Sequence, residues 1–172
     1  MKNKFITILI YLISTLLFAT TSFAAGSSGG NDNAGSDGPA PAGKYRLGYK
    51  EVERANKLAK KGKIEKAKIK YQKALKFLEE ANSEDPGNPD ILNYLGFTSR
   101  KLGDFKNSEI YYLLGLEIDP KHNGINEYLG ELYFSTGRIE LAKERLNVLK
   151  DCSCEEYQEL KEIIEGTKES KY

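Results

Sequence analysis

Two cysteines one residue apart, Cys152-Ser153-Cys154, are the part of this 172-residue chain best suited to covalent chemistry. Ser153 followed three places later by Glu156 reads as a capping box, so an amphipathic helix with Tyr157, Leu160, Ile163 and Ile164 on one face is expected to start there. Cys154 then falls in its first turn, where the helix dipole favours a thiolate. The pair has four uses open to it: a disulfide within the chain, a bridge between chains, thiol-disulfide exchange, or metal binding. A ring closed over one residue is strained, which keeps exchange among them. The remaining inventory is thin. His122 is the one histidine, in an expected turn, with no cysteine or aspartate at ligand spacing and no serine that periodicity would bring beside it. It reads as a surface turn residue. Carboxylates are abundant but are expected on exposed helical positions rather than as a buried pair, and no strand precedes a Gly-rich phosphate loop. The chain is therefore read as non-catalytic, with no cofactor and no metal. A redox protein acting through Cys152 and Cys154 is the competing enzyme class.

The elements that would position these residues are helices. From Ile91 to Leu102 the apolar residues Ile91, Leu92, Tyr94, Leu95, Phe97 and Leu102 recur at helical spacing, and the segments 110–116, 125–134 and 139–149 do likewise. Several landmarks repeat at a step of 34 residues: Leu95-Gly96 is answered by Leu129-Gly130, Gly103 by Gly137, and Pro120 by an earlier Pro86 at the same distance. Such a period signals stacked helix-turn-helix units, none of which buries its apolar stripe alone. Gly96 and Gly130 are expected where helices of a pair touch, and Gly103 and Gly137 in the turns between them.

The landmarks resemble the tetratricopeptide repeat (TPR) family, whose pattern is a large residue, Leu-Gly, Tyr, Gly, Ala, an aromatic and Pro at fixed offsets. Those offsets hold Leu92, Leu95, Gly96, Ser99, Gly103, Ser108, Tyr112 and Pro120 in one unit, and Asn126, Leu129, Gly130, Tyr133, Gly137, Ala142, Leu146 and Cys154 in the next. An earlier unit carries Gly62, Ile64, Ala67, Tyr71 and Ala74, but its Pro86 arrives seven residues late. Seven residues are two helical turns, so the second helix is lengthened through Leu75, Phe77, Leu78 and Ala81 with its apolar face in register. The resemblance implies an all-α, TPR-like solenoid of three antiparallel helix pairs with a capping helix. Its repeats run over about 48–88, 89–122 and 123–153, its cap over about 154–166, and a tail over 167–172.

The N-terminus suggests export. Lys2 and Lys4 precede an apolar stretch from Phe5 to Phe18, and Ser22-Phe23-Ala24 offers small residues at the positions a signal peptidase reads, so residues 1–24 are expected to be a cleaved signal. An uncleaved anchor is the alternative reading. Residues 25–43 are almost wholly Gly, Ser, Asn, Asp, Ala and Pro and read as a disordered linker, the domain following over 44–166. The expected location is periplasmic or secreted, with no stable membrane insertion after cleavage. Removing Lys2 and Lys4 from 26 basic residues leaves 24 against 25 acidic ones, which gives no reason to expect nucleic acid as a partner. Charge is nevertheless uneven: Lys57, Lys60, Lys61, Lys63, Lys66, Lys68, Lys70, Lys73 and Lys76 crowd the first repeat, and Glu155, Glu156, Glu159, Glu162 and Glu165 the last helix. Two solvated helix faces is the plain reading, a basic end steering an acidic partner the sharper one.

In the TPR family the first helix of each pair lines a concave groove that receives a peptide or partner helix. Carried onto this chain, the groove positions are Asn56, Lys60, Asn93, Phe97, Arg100, Glu127, Glu131 and Phe134. The expected function is a protein-protein interaction adaptor or scaffold of the cell envelope, with a homodimer or assembly module as a further alternative. Members that clamp the terminal carboxylate of a chaperone peptide use five positions, here occupied by Val52, Asn56, Tyr94, Gly124 and Tyr128. Only Asn56 matches, which argues against that ligand.

Overall fold

A computed structural model describes residues 43–169, so the expected signal, nearly all of the expected linker and the last three residues lie outside the described residues. Seven helices follow one another: α1 (Gly43–Ala59), α2 (Ile64–Glu84), α3 (Pro89–Lys101), α4 (Phe105–Ile118), α5 (Asn123–Ser135), α6 (Ile139–Leu149) and α7 (Glu155–Ile164). Among the described residues there is no strand. The helices pair as α1/α2, α3/α4 and α5/α6, and α7 closes the stack against α5 and α6. The first members α1, α3, α5 and α7 lie side by side as an inner layer, with α2, α4 and α6 behind.

Each pair turns in the same way. Gly103 and Gly137 take φ of +86° and +76°, a region costly for any residue with a Cβ. The residue after each glycine donates back to the helix just ended, Asp104 N–H to Ser99 O at 2.9 Å and Arg138 N–H to Tyr133 O at 2.8 Å. Lys63 N–H to Leu58 O at 3.0 Å repeats that bond in the first pair. The starts of α3, α4 and α5 are capped by side chains: Asn88 Oδ1 accepts from Asp90 and Ile91 N–H ahead of α3, and Asp104 from Asn107 N–H ahead of α4. His122 is more than a surface turn residue, because its Nδ1 accepts from Ile125 N–H at 3.2 Å and caps α5. Its Nε2 then carries the proton and bonds Asp90 Oδ1 at 3.1 Å, joining the start of α5 to that of α3.

The first pair is long, as the late proline implied. The α2 helix runs for 21 residues where α4 has 14, and α1 starts at Gly43, five residues before the expected repeat. Leu78 and Ala81 on the added turns are buried and Leu75 and Phe77 half-buried. One core cluster joins Val52 and Ala55 through Tyr71, Ala74 and Leu78 to Ile91, Leu92 and Leu95, and a second gathers Tyr112, Ile125, Leu129, Leu132, Tyr133 and Ala142. The large apolar residue of the repeat pattern is replaced by Asn126, which is fully buried and donates from Nδ2 to the carbonyls of Pro120 at 3.1 Å and His122 at 3.0 Å. It ties down the loop between repeats.

The expected capping box does not form. Cys152 and Cys154 are disulfide-bonded, with Cα atoms 5.1 Å apart, and Ser153 between them sits at φ 51°. An N-cap residue needs extended backbone, so Cys154 takes that position with no side-chain cap and α7 starts at Glu155. Of its expected face, Leu160 and Ile163 are fully buried and Tyr157 and Ile164 half-buried.

Glycine sets the helix spacing. A Cβ at Gly96 would lie 2.5 Å from the ring of Tyr112 on α4, and one at Gly130 2.5 Å from a methyl of Leu160. Gly130 thus serves chiefly the contact with α7 rather than with its own pair mate α6. Helix propensity favours Ala over Gly by about 1 kcal/mol, whereas overpacking against a rigid buried ring costs about 1–3 kcal/mol. Gly96→Ala should therefore lower the melting temperature. Gly130→Ala should come out near neutral, because the Leu160 methyls can rotate away. Thermal melts beside Lys66→Ala as an exposed control check the order.

Candidate partner-binding site

The inner layer carries the eight expected groove positions, but most do not face solvent. Asn93, Phe97, Arg100, Glu127 and Glu131 are buried, Asn56 and Phe134 half-buried, and only Lys60, just beyond the end of α1, is exposed. The reason is packing: α3 and α5 meet along this side, and the residues fill their seam. Arg100 Nη2 lies 3.4 Å from Glu131 Oε2 with both side chains essentially inaccessible, and Arg100 Nη1 donates to Tyr128 O at 3.1 Å. Asn93 reaches across to α5, so that a Cβ on Gly124 would lie 2.8 Å from its Nδ2. Asn56 Oδ1 accepts from the Tyr71 hydroxyl at 2.5 Å, joining α1 to α2, and burial pushes the Tyr71 phenol up to about 12. The expectation that carboxylates sit on exposed positions fails for Glu51, Glu127 and Glu131.

What the inner layer does present is aromatic. Tyr45 and Tyr49 of α1 meet Tyr94 of α3 edge-on with ring centroids 5.8 and 5.3 Å apart. Phe97 lies 6.5 Å from Tyr94 and 5.2 Å from Tyr128 of α5. Tyr45, Tyr49, Tyr94 and Tyr128 are each half-buried, so the row crosses three helices and keeps part of each ring accessible. Burial drives the phenols of Tyr45, Tyr94 and Tyr128 far above their ordinary value, and they stay neutral at any physiological pH. Lys101 Nζ stands 5.8 Å from the Phe97 centroid and 5.9 Å from that of Tyr71, a cation beside the buried ring that joins Tyr94 to Tyr128. The signal was in the repeat itself, because Tyr94 and Tyr128 occupy the same offset just before Leu-Gly.

The lysines of the first pair are only partly a solvated face. Glu51 is buried on α1 and gathers Arg54 at 2.6 Å, Lys73 at 3.2 Å and Lys70 at 3.4 Å, pinning α2 to α1. Lys44 pairs with Glu80 at the other end of the same two helices. Among the described residues no group of three His, Cys, Asp or Glu side chains is placed to hold a metal ion, and no helix is long and apolar enough to cross a membrane.

These charges make two expectations. Burial raises the Glu51 carboxyl, but hydrogen bonds from Lys73, Arg54 and Lys70 outweigh it and hold the group below the ordinary 4.5. A depressed folded value means that the stabilisation is complete above about pH 4.5 and is lost as pH falls through the folded value. Glu51→Gln should thus cost about 1–2 kcal/mol at pH 7, the cations being half exposed, and progressively less in melts toward pH 3. Glu131→Ala takes one carboxylate from the buried Arg100 and should cost about 3–5 kcal/mol in urea unfolding, whereas Arg100→Met with Glu131→Leu together should cost less than the sum of the two single changes.

Residues 89–122 match the tetratricopeptide repeat family. No curated protein matches the chain. Among solved structures the domain is similar to the Arabidopsis OM64 TPR domain, at 16% identity and a TM-score of 0.52, over 73% of this chain and 100% of that one. It is also similar to the first TPR of Spaghetti (RPAP3) bound to the HSP90 peptide SRMEEVD, at 21% identity and a TM-score of 0.51, over 72% of this chain and 94% of that one. At these identities the likeness is one of fold. The family match is confined to residues 89–122, and the seven helices α1 to α7 of the described residues have the fold of a TPR domain.

Proposed function

We propose that this protein is a non-catalytic adaptor of the cell envelope that holds a peptide or partner helix on the inner layer of α1, α3 and α5. The observation that carries this reading is the half-open row of Tyr45, Tyr49, Tyr94 and Tyr128. Rigid aromatic edges with polar tips give large contact area at little conformational cost, which suits capture of a chain segment. The RPAP3 domain is bound to a peptide, SRMEEVD, with three acidic residues among its last four. A like ligand is disfavoured here: Val52 is buried, Asn93 lies against Gly124, and Tyr94 and Tyr128 stand where a carboxylate clamp needs polar or cationic groups. The row suits instead apolar, aromatic or prolyl side chains. Export rests on Lys2, Lys4, the apolar stretch from Phe5 to Phe18 and the small residues at Ser22 and Ala24.

Two measurements test the reading. A photocrosslinking amino acid at Tyr49 or Tyr94 should capture a partner in cells, and one at Lys66 on α2 should not. Capture from Lys66 alone would move the working surface to the outer layer. Protein recovered from the envelope fraction should begin at Ala25, and a chain retained in the cytoplasm with Met1 intact would remove the envelope from the proposal.

A further inference from the structure

The outer face of α4 is apolar where a solvated helix would be charged. Ser108, Tyr112 and Gly115 point into the stack, while Ile110, Leu113 and Leu114 on the opposite side are 44%, 44% and 42% exposed. Their spacing continues through Glu117 and Ile118, the stripe by which one helix packs on another. At the ends of that stripe stand one cation, Lys106, and one anion, Glu117, both exposed and neither in an ion pair among the described residues.

We infer that this face pairs with the same face of a second copy, the two α4 helices lying antiparallel about a two-fold axis. With the axis passing between Tyr111 and Tyr112, Ile110 faces Leu113 of the second copy, both at the middle of the stripe. Lys106 then faces Glu117 of the second copy, and the symmetry makes that pair twice. A parallel pairing would set Lys106 against Lys106 and Glu117 against Glu117. The charge pattern is thus self-complementary in one orientation. The apolar stretch from Phe5 to Phe18 is the other candidate cover, but FITILIYLISTLLF carries no charge to answer either Lys106 or Glu117. The surface lies on the outer layer, away from the aromatic row, so a dimer presents two inner faces and engages a divalent partner with avidity.

A single helix face is smaller than a standard interface, so the dissociation constant should be of order 10–100 µM. Sedimentation of the full chain across that range should show a monomer–dimer equilibrium. Ile110→Asp should abolish the dimer while circular dichroism and the thermal melt stay unchanged, since the residue touches no core. Lys106→Glu and Glu117→Lys should each weaken association about tenfold at low salt, and the double swap should restore it. A monomer at every concentration, or a dimer that survives Ile110→Asp, overturns the inference. A double swap that fails to recover overturns the antiparallel register. Crosslinks from Tyr49 or Tyr94 to a partner report on the inner layer alone and are independent of these outcomes.

Discussion

The domain depends on the inner-layer helices giving up a side chain where the next helix must come close. At Gly96 the place of a Cβ is taken by the rigid ring of Tyr112, and at Gly48 and Gly130 by the more yielding side chains of Leu78 and Leu160. These intruding residues are fully buried, and each belongs to a different helix: α2, α4 and α7. Tyr112 shows the consequence, because the ring that fills the notch at Gly96 also anchors the second core cluster with Ile125 and Leu129. Close approach and core continuity are one arrangement, and neither survives without the other.

Once the helices approach this closely, the side chains between α3 and α5 have no access to water. An apolar seam would allow the two helices to slide, whereas Arg100 against Glu131 and against the Tyr128 carbonyl has one geometry. A buried ion pair of this kind adds little net stability over an apolar replacement, and here it fixes the register between neighbouring repeats. That register lines up the tyrosines at equivalent offsets into a continuous row. The polar seam and the aromatic face are therefore two sides of the same helices: one holds the spacing, the other presents it.

The repeat architecture was readable because its signals are local. Turn glycines, the 34-residue step and the two-turn lengthening of the first pair each leave a mark within one unit, and the helices begin and end close to those marks. The groove was less readable, because periodicity tells which face of a helix a residue occupies but not whether the neighbouring helix covers it. Arg100 and Glu131 sit at the expected offsets yet are enclosed where α3 and α5 meet, and Tyr94 and Tyr128 stand as mismatches to a clamp. The capping box failed for a different reason: a covalent ring through Cys152 and Cys154 holds Ser153 in a conformation no N-cap adopts. His122 looked idle because its capping bond and its bond to Asp90 lie on opposite sides of one ring, one local and one 32 positions away.

The unequal length of the first pair bears on how such an array can change over evolutionary time. The α1 and α2 helices overhang the second repeat, and Tyr45 on the overhang closes over Tyr94, while α7 seals the far end against Gly130. Among the described residues the two ends of the stack are thus formed by the long first pair and by α7. Duplication of the unit 89–122 would copy the helices but not the seam, because Phe97 holds the position of Glu131 and the buried Arg100 would meet a ring instead of a carboxylate. Lengthening the tyrosine row by one repeat therefore takes a changed residue at that seam as well as a copied unit.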